Sequence, residues 1–297
     1  MIAARPDPIV DEFVLAPHVP VWRDVLRRVS RNRLAVVGAV IALVVVVMGI
    51  LSNFWTPYPY WQQALGPTFQ GPTRAHPLGL DAAGRDILSR VMLGAGISIE
   101  IGIGTSLLVS VVGVTLGLLA GYYRGKLDLV ISTLINIWYG IPDLLVALIF
   151  VVLIGRGLQN IIFAITITRW MDMARLVRGQ TLALREREFV EAARASGTRD
   201  RQILIGQILP NALGPIIVQA TLIIPAAILL EAFLSYLGLG VQPPTPSWGA
   251  MAAQGFQALQ LAPHIVLAPA LALSVTLLAF NWLGDGLRDA LDPRMRR

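Results

Sequence analysis

The chain has 297 residues, of which 55% are hydrophobic and 14% are charged, and it carries a formal net charge of +6. Because soluble domains contain roughly 25% charged residues, this composition and a mean hydropathy of +0.67 exclude an ordinary soluble protein. The absence of cysteine excludes disulfides, thiolate metal sites and cysteine nucleophiles.

The first 33 residues are polar and end in a cluster of arginines ahead of the first long apolar block. A secretory signal peptide would instead have a short basic stretch and a short apolar core close to residue 1. The pattern therefore predicts a cytoplasmic segment, residues 1–33, followed by an uncleaved span. Residues 34–96 are predicted to hold that first helix and an extracytoplasmic loop.

Six apolar segments approach the length of about 20 residues that a helix needs to cross a bilayer. The predicted spans are residues 34–55, 97–123, 129–155, 157–178, 212–237 and 263–287. They lack the alternation of apolar and polar residues that is typical of membrane β-barrels. The predicted fold is therefore an all-α integral membrane protein with six transmembrane helices, of which five form a core at 97–287.

Arginine and lysine concentrate in the segments that six spans place on one side of the membrane. By the positive-inside rule that side is the cytoplasm, so both termini, including the tail 288–297, are predicted to be cytoplasmic. The extracytoplasmic segments 56–96 and 238–262 are rich in proline, glycine and aromatic residues. They are interpreted either as connecting loops or as gates.

Four ionisable residues lie within the predicted spans, where charge is costly and suggests function by default. They are Asp143, Arg169, Asp172 and Glu231. Arg169 and Asp172 are three residues apart on one helix face and are predicted to pair. For Asp143 and Glu231, a helix-end position, contact with another subunit and substrate binding all stay open. The four charges leave an ion-coupled secondary transporter or a channel as a rival class, although six spans without a repeat are about half the usual size.

The cytoplasmic loop, residues 184–211, is predicted to form a helix, a tight turn and a second helix. Gly197 is placed to end the first helix in a left-handed conformation. Thr198 is predicted to cap the second helix, and Pro210 to end it.

Ala192, Ala193 and Ala195 in the first of these helices would leave a surface of small side chains. That surface is either a solvated face or a place where another protein docks. The chain cannot hydrolyse ATP through a P-loop, because its one lysine, Lys126, is followed by Leu127 rather than by serine or threonine. The absence of a P-loop favours docking of a partner that supplies the energy.

The loop also resembles the EAA motif of ABC importer permeases, which is Glu-Ala-Ala, three residues, Gly, nine residues, Ile, one residue and Leu-Pro. The matching residues are Glu191, Ala192, Ala193, Gly197, Leu209 and Pro210. Gln207 stands at the usual isoleucine position, with Ile208 one place later.

Three further segments resemble the C-type subunit of dipeptide and oligopeptide permeases. They are residues 76–90 (HPLGLDAAGRDILSR), 238–246 (GLGVQPPTP) and 281–293 (NWLGDGLRDALDP). Leu80 stands where that family usually carries threonine. The resemblance covers about residues 76–297.

The resemblance implies a type I ABC importer permease in the bacterial cytoplasmic membrane. It implies a heterodimer with a second, homologous permease, two ABC ATPases that bind ATP and Mg, and an extracytoplasmic substrate-binding protein. The EAA loop would be the coupling helix seated on an ATPase, and this chain would bind no cofactor, no metal and no nucleic acid. Peptides are the implied substrate, with nickel, glutathione or another small solute as alternatives.

Overall fold

The computed structural model describes residues 21–291, so parts of the predicted terminal segments 1–33 and 288–297 and the end of the motif at 281–293 lie outside the described residues. Within that range the regular structure is helical apart from one isolated bridge between Leu80 and Asp86. The α-helices are α1 (Val21–Val29), α2 (Arg33–Leu51), α3 (Ile87–Tyr123), α4 (Gly125–Tyr139), α5 (Asp143–Ile154), α6 (Leu158–Arg185), α7 (Glu188–Ala195), α8 (Asp200–Ile203), α9 (Leu209–Tyr236), α10 (Trp248–Phe256) and α11 (His264–Leu291). A π-helical turn, Leu204–Ile208, joins α8 to α9.

Among the described residues, four helices are long and apolar enough to cross a membrane, or five if one bent pair is a single span. The four are α2, α3, the continuous helix Asp200–Tyr236 and α11. They correspond to four of the six predicted spans. The other two predicted spans differ from the structure in ways that the intervening residues explain.

The predicted span at 129–155 is not one straight helix, because the chain bends by 93° between α4 and α5, as in a broken span or a re-entrant loop. Pro142 lies at the bend, where its ring and missing amide prevent α4 from continuing. Asp143 then becomes the first residue of α5, which is the helix-end position among its predicted alternatives. The predicted span at 157–178 lies within α6, which is not among the helices that are apolar enough to span.

The predicted start of the second span at residue 97 is ten residues too late, because α3 already begins at Ile87. Asp86 caps it by accepting a hydrogen bond from the Ser89 amide at 2.7 Å. The first turn of α3 was not predicted as part of the span because it contains the charged residue Arg90. In the structure Arg90 is buried.

A stripe of glycines in α3 allows α3 and α6 to approach closely. Gly113, Gly117 and Gly121 recur every four residues, and a Cβ atom added to Gly117 would lie 2.7 Å from the Val177 Cβ. Such spacing is a known way to pack helices in membranes. Gly113 faces Met173 and Gly121 faces Thr181, so the two helices run in the same direction. Helix α6 therefore lies beside α3 along the depth that α3 spans.

Candidate docking site in the loop between α6 and α9

The turn after α7 has the geometry that Gly197 predicts. Gly197 has a φ of +77°, in the left-handed region that favours glycine. The Thr198 amide donates to the Ala193 carbonyl at 3.0 Å, and the Gly197 amide donates to the Arg194 carbonyl at 2.9 Å. These two bonds form a Schellman motif, which satisfies carbonyls at the end of α7. The prediction of a left-handed helix end at Gly197 is confirmed.

The second helix of the loop differs from its prediction at both ends. Arg199, rather than Thr198, occupies the cap position of α8, and its side chain makes no capping hydrogen bond. Pro210 does not end the helix, because the π-helical turn carries it into α9. In that turn the Leu209 amide donates to the carbonyl of Leu204, five residues back. Pro210 falls in the first turn of α9, where its missing amide is tolerated.

The underside of the loop is anchored in an apolar cluster. Val190 in α7 is 0% exposed. It belongs to the same buried cluster as Ile203, Leu204, Ile208 and Tyr122. Gln207 stands where the motif usually has isoleucine, and the neighbouring Ile208 supplies the apolar contact in its place. The loop is thus packed onto the ends of α3 and α9.

Tyr122, at the end of α3, connects the two short helices of the loop. Its hydroxyl donates to the Asp200 Oδ1 at 2.7 Å, and the Arg194 guanidinium lies 5.1 Å from its ring centroid. The Arg185 guanidinium donates to the Tyr122 carbonyl. One residue of α3 is therefore tied to α6, α7 and α8 at once, which fixes the orientation of the loop.

The six residues of the predicted coupling site divide into two groups. The exposed members are Glu191, Ala192, Gly197 and Pro210. Ala193 and Leu209 instead pack against the buried cluster, so Ala193 does not belong to an exposed small-residue surface. The outer face of α7 carries a carboxylate beside an alanine, above an apolar anchor. A partner can therefore approach the backbone of α7 closely on this face.

Sequence reasoning missed three residues that hold the site, Val190, Tyr122 and Arg185. Val190 carried a signal, because Phe189 and Val190 form an apolar pair flanked by charged residues. Tyr122 and Arg185 carried none, since each acts through contacts with residues that are remote in sequence.

The predicted pairing of Arg169 with Asp172 is confirmed, and the structure adds Asp143 as a second and closer partner of Arg169. Arg169 contacts Asp143 at 3.1 Å, and its contact with Asp172 is longer, at 3.9 Å. The Tyr139 hydroxyl also donates to Asp172. The bend between α4 and α5 is what brings Asp143 and Tyr139 to α6. These contacts between side chains therefore join the bend between α4 and α5 to α6.

Glu231 is not at a helix end, one of its predicted alternatives, because α9 continues to Tyr236. It is almost fully buried, and one carboxylate oxygen accepts a hydrogen bond from the Ser235 hydroxyl at 2.5 Å. Ser235 in turn contacts Ser247 at 3.1 Å, so this carboxylate belongs to a polar link between α9 and the start of α10.

Tyr122→Phe is expected to loosen the loop without unfolding the protein. The change removes a hydrogen bond to a carboxylate, which typically contributes about 1.5–3 kcal/mol. In a Val190→Cys background, whose single cysteine is buried, labelling by a thiol reagent should become about ten-fold faster or more when Tyr122→Phe is added. Tyr123→Phe is the matched control. Equal labelling rates in all three proteins would show that the Tyr122 hydroxyl does not hold the loop.

Comparison with known proteins places this site in context. The sequence profile described as "binding-protein-dependent transport system inner membrane component" matches residues 113–297, which include the loop. The profile of the N-terminal transmembrane domain of oligopeptide transport permease C matches residues 21–72.

Individual relatives are similar over nearly the whole chain. The dipeptide transport system permease protein DppC of Bacillus subtilis is 42% identical, covering 96% of this chain and 90% of the relative. The oligopeptide transport system permease protein OppC of the same organism is 41% identical, covering 96% and 94%. The glutathione transport system permease protein GsiD of Pectobacterium atrosepticum is 40% identical, covering 100% and 97%.

Among solved structures, an inward-facing form of the MetNI methionine ABC transporter contains a similar chain. The TM-score is 0.56 at 22% identity, covering 68% of this chain and 96% of that chain. At this identity the likeness concerns the fold alone.

Proposed function

The chain belongs to the family of binding-protein-dependent transport system inner membrane components, and from that membership we propose that it carries peptides into the cell. It is a multi-pass membrane permease subunit of an ABC transporter with the type I importer fold. Its proposed location is the bacterial cytoplasmic membrane, with both termini in the cytoplasm.

The proposed substrate class rests on the relatives. Their names specify dipeptides, oligopeptides and glutathione, and all of these compounds contain amide bonds and free carboxylates. Among the alternatives from the sequence, a glutathione-like peptide therefore has support from a relative. A metal ion such as nickel has none among the relatives described above.

The observation that best supports coupling to an ATPase is the outer face of α7. This face is exposed, carries an acidic and a small side chain, and belongs to a helix that is anchored from below. Glu191 and Ala192 point away from the chain, while Val190 and Tyr122 hold α7 from below. In the proposed complex α7 is the coupling helix, seated on an ABC ATPase subunit. Because its anchor contacts α3 and α9, a displacement of α7 moves those helices with it.

The remaining components are also proposals. A second, homologous permease would complete a heterodimer, two ATPases would bind ATP and Mg, and a binding protein would deliver substrate from outside. This chain would bind no cofactor and hydrolyse no ATP. Apolar side chains exposed on α5 offer a surface for lipid or for the second permease, namely Leu145, Ile149, Val152 and Leu153.

The pairing of Asp143, Arg169 and Asp172 argues against the rival class, whereas Glu231 has no cationic partner among the described residues and is held by the Ser235 hydroxyl. An ion-coupled carrier uses intramembrane carboxylates as binding sites for protons or ions. Here Asp143 contacts Arg169, and Tyr139 donates to Asp172, so both carboxylates have partners within the chain. ATP-driven import is the better explanation of the chain.

Uptake of a radiolabelled peptide is expected to require ATP. Proteoliposomes that contain the complete complex and the loaded binding protein should accumulate trialanine when ATP is supplied to the ATPase side. A proton or sodium gradient alone should give no uptake above that of empty liposomes. Gradient-driven uptake by this chain without ATPase subunits would instead establish a secondary transporter.

A further inference from the structure

A cavity of about 710 Å³ lies at the far end of α9 from the docking loop. Ser235 and Tyr236, the last residues of α9, form part of its wall. Segment 238–245, α10, the loop before α3 and the start of α3 form most of the rest, and Arg156 reaches it from the connection between α5 and α6. The 28 residues of α9 separate it from the loop by about 42 Å. With the loop in the cytoplasm, the cavity faces outward, where substrate arrives. Its volume falls within the range of about 300–1,000 Å³ that is typical of small-molecule sites.

The lining of this cavity is strongly basic. Arg85, Arg90 and Arg156 contribute to it, and among the described residues that line it there is no carboxylate. Asp81, just behind the wall, lies 2.7 Å from Arg85 and 3.6 Å from Arg90, so two guanidinium groups share one carboxylate. Arg156 is exposed, and no ion pair is recorded for it within residues 21–291. Three positive charges thus face one negative charge.

The arginines near the wall are held in place rather than free to move into solvent. Arg90 is only 2% exposed, and its guanidinium donates to the Tyr60 carbonyl at 3.4 Å. Arg85 donates to the Gln254 side-chain oxygen at 3.4 Å, and both residues line the cavity. Preorganised guanidinium donors of this kind recognise carboxylates.

We propose that this cavity binds the C-terminal carboxylate of the incoming peptide, with Arg156 as its direct contact and Arg85 with Arg90 providing the surrounding positive field. The proposal rests on the proposed function and adds to it a contact between permease and cargo. The same lining opposes a free divalent cation, because a cation would meet three guanidinium groups and no carboxylate. It therefore separates a peptide substrate from a nickel ion by charge alone.

Arg156→Gln tests the contact in the complete transporter. Because Arg156 is exposed, the change leaves the fold intact, and we expect the maximal rate of ATP-driven trialanine uptake to fall about ten-fold or more. Arg156→Lys keeps the charge and should retain an intermediate rate. Arg74→Gln is the matched control, since Arg74 is an exposed arginine of another outer segment, the loop before α3, and does not line the cavity. An unchanged maximal rate in Arg156→Gln would overturn the proposal.

The source of the carboxylate is tested in the same assay by varying the concentration of loaded binding protein. If Arg156 contacts the cargo, the maximal rate falls while the half-saturating concentration of binding protein stays constant. If only the half-saturating concentration rises, the carboxylate belongs to the surface of the binding protein, and the proposal is wrong. A wild-type complex that shows no ATP-dependent uptake would refute the proposed function itself. If the wild-type complex shows ATP-dependent uptake and Arg156→Gln does not change its rate, only this site is refuted.

A direct binding test uses the absence of native cysteine from the chain. Gln257 is an exposed residue of the cavity wall, so Gln257→Cys should react with an impermeant maleimide. Millimolar trialanine is expected to slow that reaction, and trialanine amide, which lacks the carboxylate, is not. The protection should disappear when Arg156→Gln is added. Equal protection by the acid and the amide would overturn the assignment of the carboxylate.

Discussion

Glu191→Lys is expected to reduce ATP-driven uptake by about thirty-fold or more while the protein still inserts and folds. Reversing a charge in a docked interface typically costs about 2 kcal/mol or more, and each 1.4 kcal/mol is about a factor of ten. The side chain of Glu191 is exposed, so the change leaves the anchor of α7 untouched. Uptake and ATP hydrolysis by the same complex are to be measured together.

Glu191→Lys is expected to suppress uptake but not the ATPase subunits' ability to hydrolyse ATP. Hydrolysis should either continue at its usual rate or lose its stimulation by loaded binding protein. Asp289→Lys makes the same change of charge at an exposed position near the end of α11, and it should transport normally. If Glu191→Lys also transports normally, α7 is not the contact with the ATPase. Gly197→Trp should show the same loss, through bulk on this face together with strain at a φ of +77°.

Gly117→Leu is expected to prevent stable folding, because it would force α3 and α6 apart. The added Cβ alone would lie 2.7 Å from both the Ala174 carbonyl oxygen and the Val177 Cβ. Carbonyl oxygens and β-carbons of a helix cannot rotate away, so the strain falls on the backbone. We expect a loss of about 3 kcal/mol or more, seen as a large drop in the melting temperature of the detergent-solubilised protein.

Gly179→Leu is the matched control for this change. Gly179 also lies in the middle of a helix, α6, but a Cβ added there has no heavy atom within 4 Å. Its melting temperature should stay close to that of the wild type or rise slightly, since leucine favours helix over glycine. If the two variants melt at the same temperature, the glycine stripe is not what holds α3 to α6.

The sequence was sufficient for the features that depend on local chemistry. Long apolar segments place α2, α3, α9 and α11, and the conformational freedom of glycine places the end of α7 at Gly197. The family was predicted from four sequence motifs that occur in the order typical of that family. Each of these signals lies within one segment, and needs no knowledge of what packs against it.

The features that were missed depend on contacts between segments. Pro142 carried a sign of the bend, but the pairing of Asp143 with Arg169 that the bend makes possible involves another helix. The role of Tyr122 becomes visible only when Asp200 is placed beside it. The early start of α3 was hidden because the buried Arg90 reads as a surface residue until Asp81 and the Tyr60 carbonyl are brought to it.

The unbroken run of helix from Asp200 to Tyr236 has a mechanical consequence. Its 37 residues form a helix about 55 Å long, with one end in the docking loop and the other at the basic cavity. A tilt of about 5° around one end swings the other by about 5 Å, the length of one helical turn. Pro210, Pro215 and Pro225 lie within this segment and lack amide donors, so bending of the helix is expected to concentrate at these three positions. If α7 is the contact with the ATPase, as proposed above, a tilt of about 5° at that contact moves the cavity end of this helix by about 5 Å.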